Sequence, residues 1–238
     1  MQLTIDTSSQ KVGLALSDSN RIIQEYCWYS QENHTRELIP NIMQLLEKNK
    51  IAISSVTSIV IARGPGSFNG LRVGMSVAKG LAFAREVPLV GISTLSAEAY
   101  LHAASHLPVC PLHEAGRSEV ATALFQMQEG QWQQLQEEHI TTAEQLQQET
   151  TAETIFCGEI TISLAAKLRQ IFGAQAQIFP IPDTICRASL VAQLGWQRLV
   201  KKDYDNPATL QPLYLRRPPI TRPGTDKYFI IHSQIMDE

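Results

Sequence analysis

The first residues able to do chemistry are Asp6, Thr7, Ser8 and Ser9, which follow the apolar Leu3-Thr4-Ile5 near the start of the chain. A tight turn after a first strand is where phosphate-gripping hairpins often lie. There Asp6 could hold a metal-bound water while Thr7 and Ser8 donate hydrogen bonds. A plain capped turn fits the same residues equally well. A second stretch, IARGPGSFNGLRVGMSVAKGLA over residues 61–82, opens like a phosphate-binding loop running into a helix. Gly64, Gly66 and Gly70 permit tight turns that expose amide N–H groups to an anion, and Ser67 is placed to cap the helix. However, no lysine follows the last glycine, and the nearest, Lys79, lies well inside the helix. A nucleotide or anion site at Asp6, Thr7, Ser8, Gly66 and Ser67 is therefore expected to be vestigial.

Other candidate groups point to less. EAYLHAASH puts Glu98, His102 and His106 at i, i+4 and i+8, on one face if a helix from Leu95 persists, and HxxxH can chelate zinc. Pro108 stops such a helix, no HExxH general base accompanies the pair, and an exposed polar face is the competing reading. HEAGRSEV, residues 113–120, is a charged turn carrying Arg117 and Glu119. No GxSxG elbow and no Ser/His/Asp set can be assembled by spacing, so hydrolytic chemistry has no anchor. Cys27, Cys110, Cys157 and Cys186 are scattered with no CxxC pair, which predicts buried reduced thiols rather than a zinc knuckle or a disulfide scaffold. A metal site is not expected.

The helix that follows the glycine loop says more. Gly70, Gly74, Ala78 and Ala82 recur at i, i+4, i+8 and i+12, with Val73, Val77 and Leu81 on a neighbouring stripe. Glycines at 74 and 80 each cost about 1 kcal/mol relative to alanine, so a closely apposed backbone should offset that cost. One stripe is expected to pack on the protein's own sheet and the other to receive a helix from another subunit.

These residues must be positioned by a chain of 238 residues whose apolar content, 44 %, supplies a core for one large or two small domains. A net charge of -3 argues against a protein-wide footprint for nucleic acid. The start lacks a basic and apolar leader and no run has the length of a membrane span, so a soluble cytoplasmic protein is expected. Strands are predicted over 3–5, 12–16 and 22–29, then a helix over the stretch HTRELIPNIMQLLEKNK with Thr35 as N-cap and Pro40 near its first turn, a strand over 56–62 and a helix over 70–84. After Pro108, strands over 109–112, 120–127 and 132–140, a helix over 142–148, a strand over 154–157, a helix over 162–172 and a strand over 177–179 repeat the order. A final helix over 187–201 closes it. Both halves read βββαβαβ, which predicts an α/β protein with a duplicated core. An N-terminal lobe is expected over 1–106, and a C-terminal lobe over 107–217 whose final helix packs back between the lobes. The tail, 218–238, is either a mobile extension or a strand added to a partner.

IDTSS, ARGPGSFNGLRVGMSVAKGLA, PLVGISTLSAEA, PLHEAGRSEV and LQPLYLRRP resemble, in order and spacing over residues 1–217, the TsaB family, formerly called YeaZ. The resemblance implies a two-lobed fold of the actin, hexokinase and Hsp70 type. It also implies a non-catalytic partner of TsaD in attaching threonylcarbamoyl to the adenosine beside the tRNA anticodon. TsaE would complete the complex, ATP would be bound by the partners, tRNA would be met only indirectly, and a homodimer would form when the chain is alone. TsaD enzymes bind a metal through an HxxxH pair after a segment like PLVGIS; here Thr94 and Glu98 stand at those positions, so the ligand pair is missing. In the family, two N-terminal-lobe helices bundle with those of the partner. Carried onto residues 37–48 and 71–84, this makes Leu38, Ile42, Leu45, Leu71, Gly74, Val77, Ala78 and Leu81 the expected contacts. Gly74→Arg should then abolish association and leave a folded monomer, unless the stripe serves the core. The alternative is a small-molecule kinase or ATPase of the same fold, using Asp6 and the loop from Gly64 to Gly70.

Overall fold

The computed structural model describes residues 1–31, 33–150, 153–173, 176–181 and 185–216; the tail from 218 lies outside them. Two five-stranded mixed sheets are each built in the same way. In the first, β1 (Gln2–Asp6) is central, antiparallel to β2 (Lys11–Asp18) and parallel to β4 (Ser58–Gly64). β3 (Arg21–Tyr29) and β5 (Leu89–Ser93) form the edges, giving the order β3-β2-β1-β4-β5. In the second, β6 (Val109–Gly116) is central, with β7 (Glu119–Gln128) and β8 (Gln131–Thr142) antiparallel on one side. β9 (Thr154–Gly158) and β10 (Ala176–Pro180) run parallel on the other, so the order is β10-β9-β6-β7-β8. The duplicated βββαβαβ order is thus a duplicated topology, one lobe built on each sheet.

Strand alternation decides what each face buries. Ile59 and Ile61 of β4 point to a cluster with Leu3, Ile5, Val12, Leu14 and Leu16, covered by α1 (His34–Lys48) and α2 (Phe68–Arg85). Val60 and Ala62 point the other way, to Val191 and Leu194 of α6 (Ala188–Val200). A Cβ on Gly195 would stand 2.5 Å from Val60, so α6 lies flush on the sheet only because that residue is glycine. In the second sheet Phe156 packs with Leu146 of α4 (Ala143–Glu149) and Leu168 of α5 (Ile162–Phe172). Ile155 and Cys157 face Leu95 and Ala99 of α3 (Thr94–Tyr100). α3 also touches β4, β5 and α6, and therefore sits between the two sheets.

Three local expectations change. α1 starts at His34 after Asn33 rather than at a Thr35 cap, which carries Pro40 into the second turn. α3 ends at Tyr100, and His106 adopts φ 57°, so Glu98, His102 and His106 do not share a helical face. Cys27 and Cys186, 159 residues apart, are disulfide-bonded, which corrects the expectation of four reduced thiols. Cys110 and Cys157 are free and buried; burial pushes the Cys110 thiol up to about 12 and Cys157 well above its ordinary value.

Candidate functional site

The glycine loop and the turn after β1 form one unit. The Ser67 amide donates to the Ser8 carbonyl at 2.6 Å, and the Ser67 hydroxyl accepts from the Gly70 amide at 3.3 Å, capping α2 as its sequence suggests. A Cβ on Gly66 would lie 2.1 Å from the Ser8 carbonyl oxygen, one on Gly70 2.1 Å from that of Thr7, and one on Gly74 2.1 Å from Thr7 Oγ1. Three of these glycines are thus explained by the close passage of residues 7 and 8 over the start of α2. The Ser67 N–H, which an anion would need, is already used within the chain.

Ser8, Gly66 and Ser67 line a cleft of about 560 Å³, together with Phe68, His113, Glu114 and Tyr214. Asp6 and Thr7 are buried and do not line it. The Asp6 carboxylate accepts from the Ser8 amide at 2.9 Å and the Ser8 hydroxyl at 2.5 Å. Its other oxygen accepts from Arg187 Nε at 3.2 Å. The same guanidinium donates to Glu98 Oε1 at 2.5 Å and to the hydroxyls of Ser8 and Ser9, each at 2.9 Å. Glu98 Oε2 meets His113 Nε2 at 2.6 Å. Asp6, Arg187, Glu98 and His113 therefore form one chain of charge-assisted hydrogen bonds.

Burial alone would raise the Glu98 pKa, but His113 and Arg187 reverse this and hold it below the ordinary value. Burial would lower that of His113, but the Glu98 carboxylate, helped by Glu159 and opposed by Arg187, carries it above the ordinary value. The signs give a stability window. The His113 contribution is complete below the unfolded value of about 6.5 and is lost as pH rises through the folded value. That of Glu98 is complete above about 4.3 and is lost as pH falls through its folded value. Urea midpoints should therefore decline as pH rises above about 6.5, and His113→Gln should flatten that decline; an equal decline in both proteins would contradict the pairing.

Thr94 and Glu98, the positions where the resemblance puts a ligand pair in TsaD enzymes, are both buried. Thr94 Oγ1 has no hydrogen-bond partner among the described residues, and Glu98 is committed to Arg187 and His113. Of the expected partner contacts, Leu38, Ile42, Leu45, Leu71, Gly74 and Ala78 are all buried inside the first lobe. The small-residue stripe faces residues 7 and 8 and the sheet, with Thr7 and Ile61 against Gly74. Val77 and Leu81, with Val73, are half-buried at the edge of that core. The outward apolar groups are Ile39, 44 % exposed, and Met43, 51 % exposed, on α1, and Phe83, 83 % exposed, near the end of α2. Gly80 is exposed, with open space where its Cβ would be.

Arg187 and His113 carry the central chain of contacts but were not singled out as site residues from the sequence. Arg187 and Glu98 are each a lone charge in an apolar window, Ile185-Cys186-Arg187-Ala188 and Ala97-Glu98-Ala99. That pattern signals a buried charge without naming its partner.

The chain was compared with known proteins. Residues 28–194 match the family model described as TsaD, tRNA N6-adenosine threonylcarbamoyltransferase. The tRNA threonylcarbamoyladenosine biosynthesis protein TsaB of Bacillus subtilis is 30 % identical over 217 residues, 90 % of this chain and 93 % of that protein. The chain belongs to the TsaB family. Another family member, TsaB of Haemophilus influenzae, is 31 % identical over 155 residues, 60 % of this chain and 64 % of its own. YeaZ from Pseudomonas aeruginosa has the same fold, with a TM-score of 0.75 at 22 % identity, covering 89 % of this chain and 99 % of that one. Among the described residues, no helix is long and apolar enough to cross a membrane.

Proposed function

We propose that this chain is a non-catalytic subunit that binds a TsaD-type threonylcarbamoyltransferase and enables it to modify the adenosine beside the tRNA anticodon. The observation that carries this reading is the commitment of Asp6. Phosphoryl transfer in this fold needs an acid free to organise a metal ion, whereas Asp6 is held by Arg187 and by both donors of Ser8. The kinase or ATPase alternative loses its candidate acid, and the glycine loop loses an anion-binding amide to Ser8. What remains is a rigid lobe presenting the outer faces of α1 and α2.

The docking face is redrawn from the exposures. Ile39 and Met43 on α1 and the half-buried Val73, Val77 and Leu81 on α2 form its apolar part. α1 and α2 pack side by side, so a partner's helix pair could extend them into a bundle. This chain itself matches the family model of the transferases, which suits a pseudo-symmetric pairing of like lobes. In the absence of the transferase the same face would pair with a second copy. TsaE and tRNA would be engaged by the assembled complex, and ATP by the partners. Reconstitution of tRNA threonylcarbamoylation from purified components tests the reading: activity should require this chain and the transferase together, and nucleotide turnover by this chain alone would refute it.

A further inference from the structure

The buried charges do more than exclude metal chemistry from Asp6. They bridge the lobes. Asp6 ends β1 of the first sheet, Ser8 and Ser9 lie in the β1–β2 turn, and Arg187 directly precedes α6, which lies on that sheet. Glu98 is on α3 between the sheets, and His113 is on the central strand of the second sheet. Arg187 uses Nε, Nη1 and Nη2 to hold Asp6, Glu98, Ser8 and Ser9 at 3.2, 2.5, 2.9 and 2.9 Å. Glu98 spends its second oxygen on His113 at 2.6 Å. No other side chain could do this, because only a guanidinium presents a planar fork of donors that stays charged at every accessible pH. The lobes cannot part without leaving Glu98, 1 % exposed, or one of its partners unpaired in the interior.

We propose that Arg187 and Glu98 form an internal brace that fixes the two lobes at one angle without any nucleotide. Opening would strand charge, so the cleft lined by Ser67, Phe68, His113 and Tyr214 keeps one width. This inference concerns lobe geometry and does not depend on which partner the protein binds.

Spin labels at introduced cysteines N20C, in the β2–β3 turn, and Q131C, at the start of β8, report the inter-lobe distance. Cys110 and Cys157 are buried and Cys27 is bonded to Cys186, so labelling falls on the introduced thiols. The unmodified brace should give one narrow distance distribution, unchanged by magnesium ATP. Arg187→Lys keeps the charge but cannot reach four acceptors, and Glu98→Gln keeps the shape but loses the charge; each should broaden the distribution or shift it to longer distances. Should Arg187→Lys not fold, Glu98→Gln decides alone. Folded variants with an unaltered narrow distribution, or a nucleotide-dependent distance in the parent protein, would overturn the brace.

Discussion

Gly70→Ala is expected to destabilise the first lobe by about 2 kcal/mol net, while Gly80→Ala in the same helix is expected to stabilise it by up to about 1 kcal/mol. In an exposed helix both changes would help by the same amount, since alanine is the better helix former. The surroundings separate them. The Gly70 Cβ would lie 2.1 Å from the Thr7 carbonyl oxygen, and that acceptor is backbone, so the turn carrying Asp6 and Ser8 must shift. Overpacking of this kind costs on the order of 3 kcal/mol and outweighs the propensity gain. At Gly80 nothing lies within 4 Å. Gly74→Arg, which would leave a folded monomer if the stripe faced a partner, should instead prevent folding, because Thr7 Oγ1 and Ile61 stand 2.1 and 3.2 Å from the added Cβ. Urea midpoints of the two alanine variants, measured side by side, check this; shifts of the same sign and size would mean that the glycine stripe is not packed on the turn.

The double substitution Ile39→Asp and Met43→Asp is expected to abolish association while leaving stability within about 0.5 kcal/mol of the parent, since both residues are outward-facing on α1. A charge in the centre of an apolar helix–helix contact is left without water and without a partner. Losing a central apolar anchor costs at least about 2 kcal/mol, roughly a thirtyfold weakening per site. Light-scattering chromatography of the variant mixed with the transferase should show two separate species where the parent protein gives one complex. Retention of the complex would move the docking face elsewhere. A lowered thermal midpoint in the variant would show instead that α1 is more deeply packed than its exposures indicate.

Much of the architecture was legible because strand and helix periodicities are local. The three-strand meander, the βαβ units and the repetition of both in the second half follow from apolar runs and turn residues within a few positions of one another. Ser67 announced itself as a cap for the same reason. The orientation of α2 was not local: a stripe of small residues marks close approach but does not say to what, and the object approached is the backbone of residues 7 and 8. Leu38, Ile42 and Leu45 fit an amphipathic face equally well whether it turns to the sheet or to a partner. The least legible features were the longest-range ones. Arg187 meets Asp6 across 181 residues and Glu98 across 89, and Cys27 meets Cys186 across 159. Such pairings become visible only when the fold has brought the segments together. His102 and His106 failed for a different reason, since α3 stops at Tyr100 and its polar face never extends to them.

The most direct measurement is the rate of threonylcarbamoyl transfer to tRNA in a fully defined reaction, with this chain, with the transferase from the same organism, and with both, under otherwise identical conditions. Modification and ATP consumption only in the mixture, lost again with the Ile39→Asp and Met43→Asp variant, are the expected results. Transfer by the transferase at full rate without this chain, or turnover of ATP by this chain alone, would contradict a non-catalytic subunit acting through α1 and α2 and would return attention to Asp6 and the glycine loop.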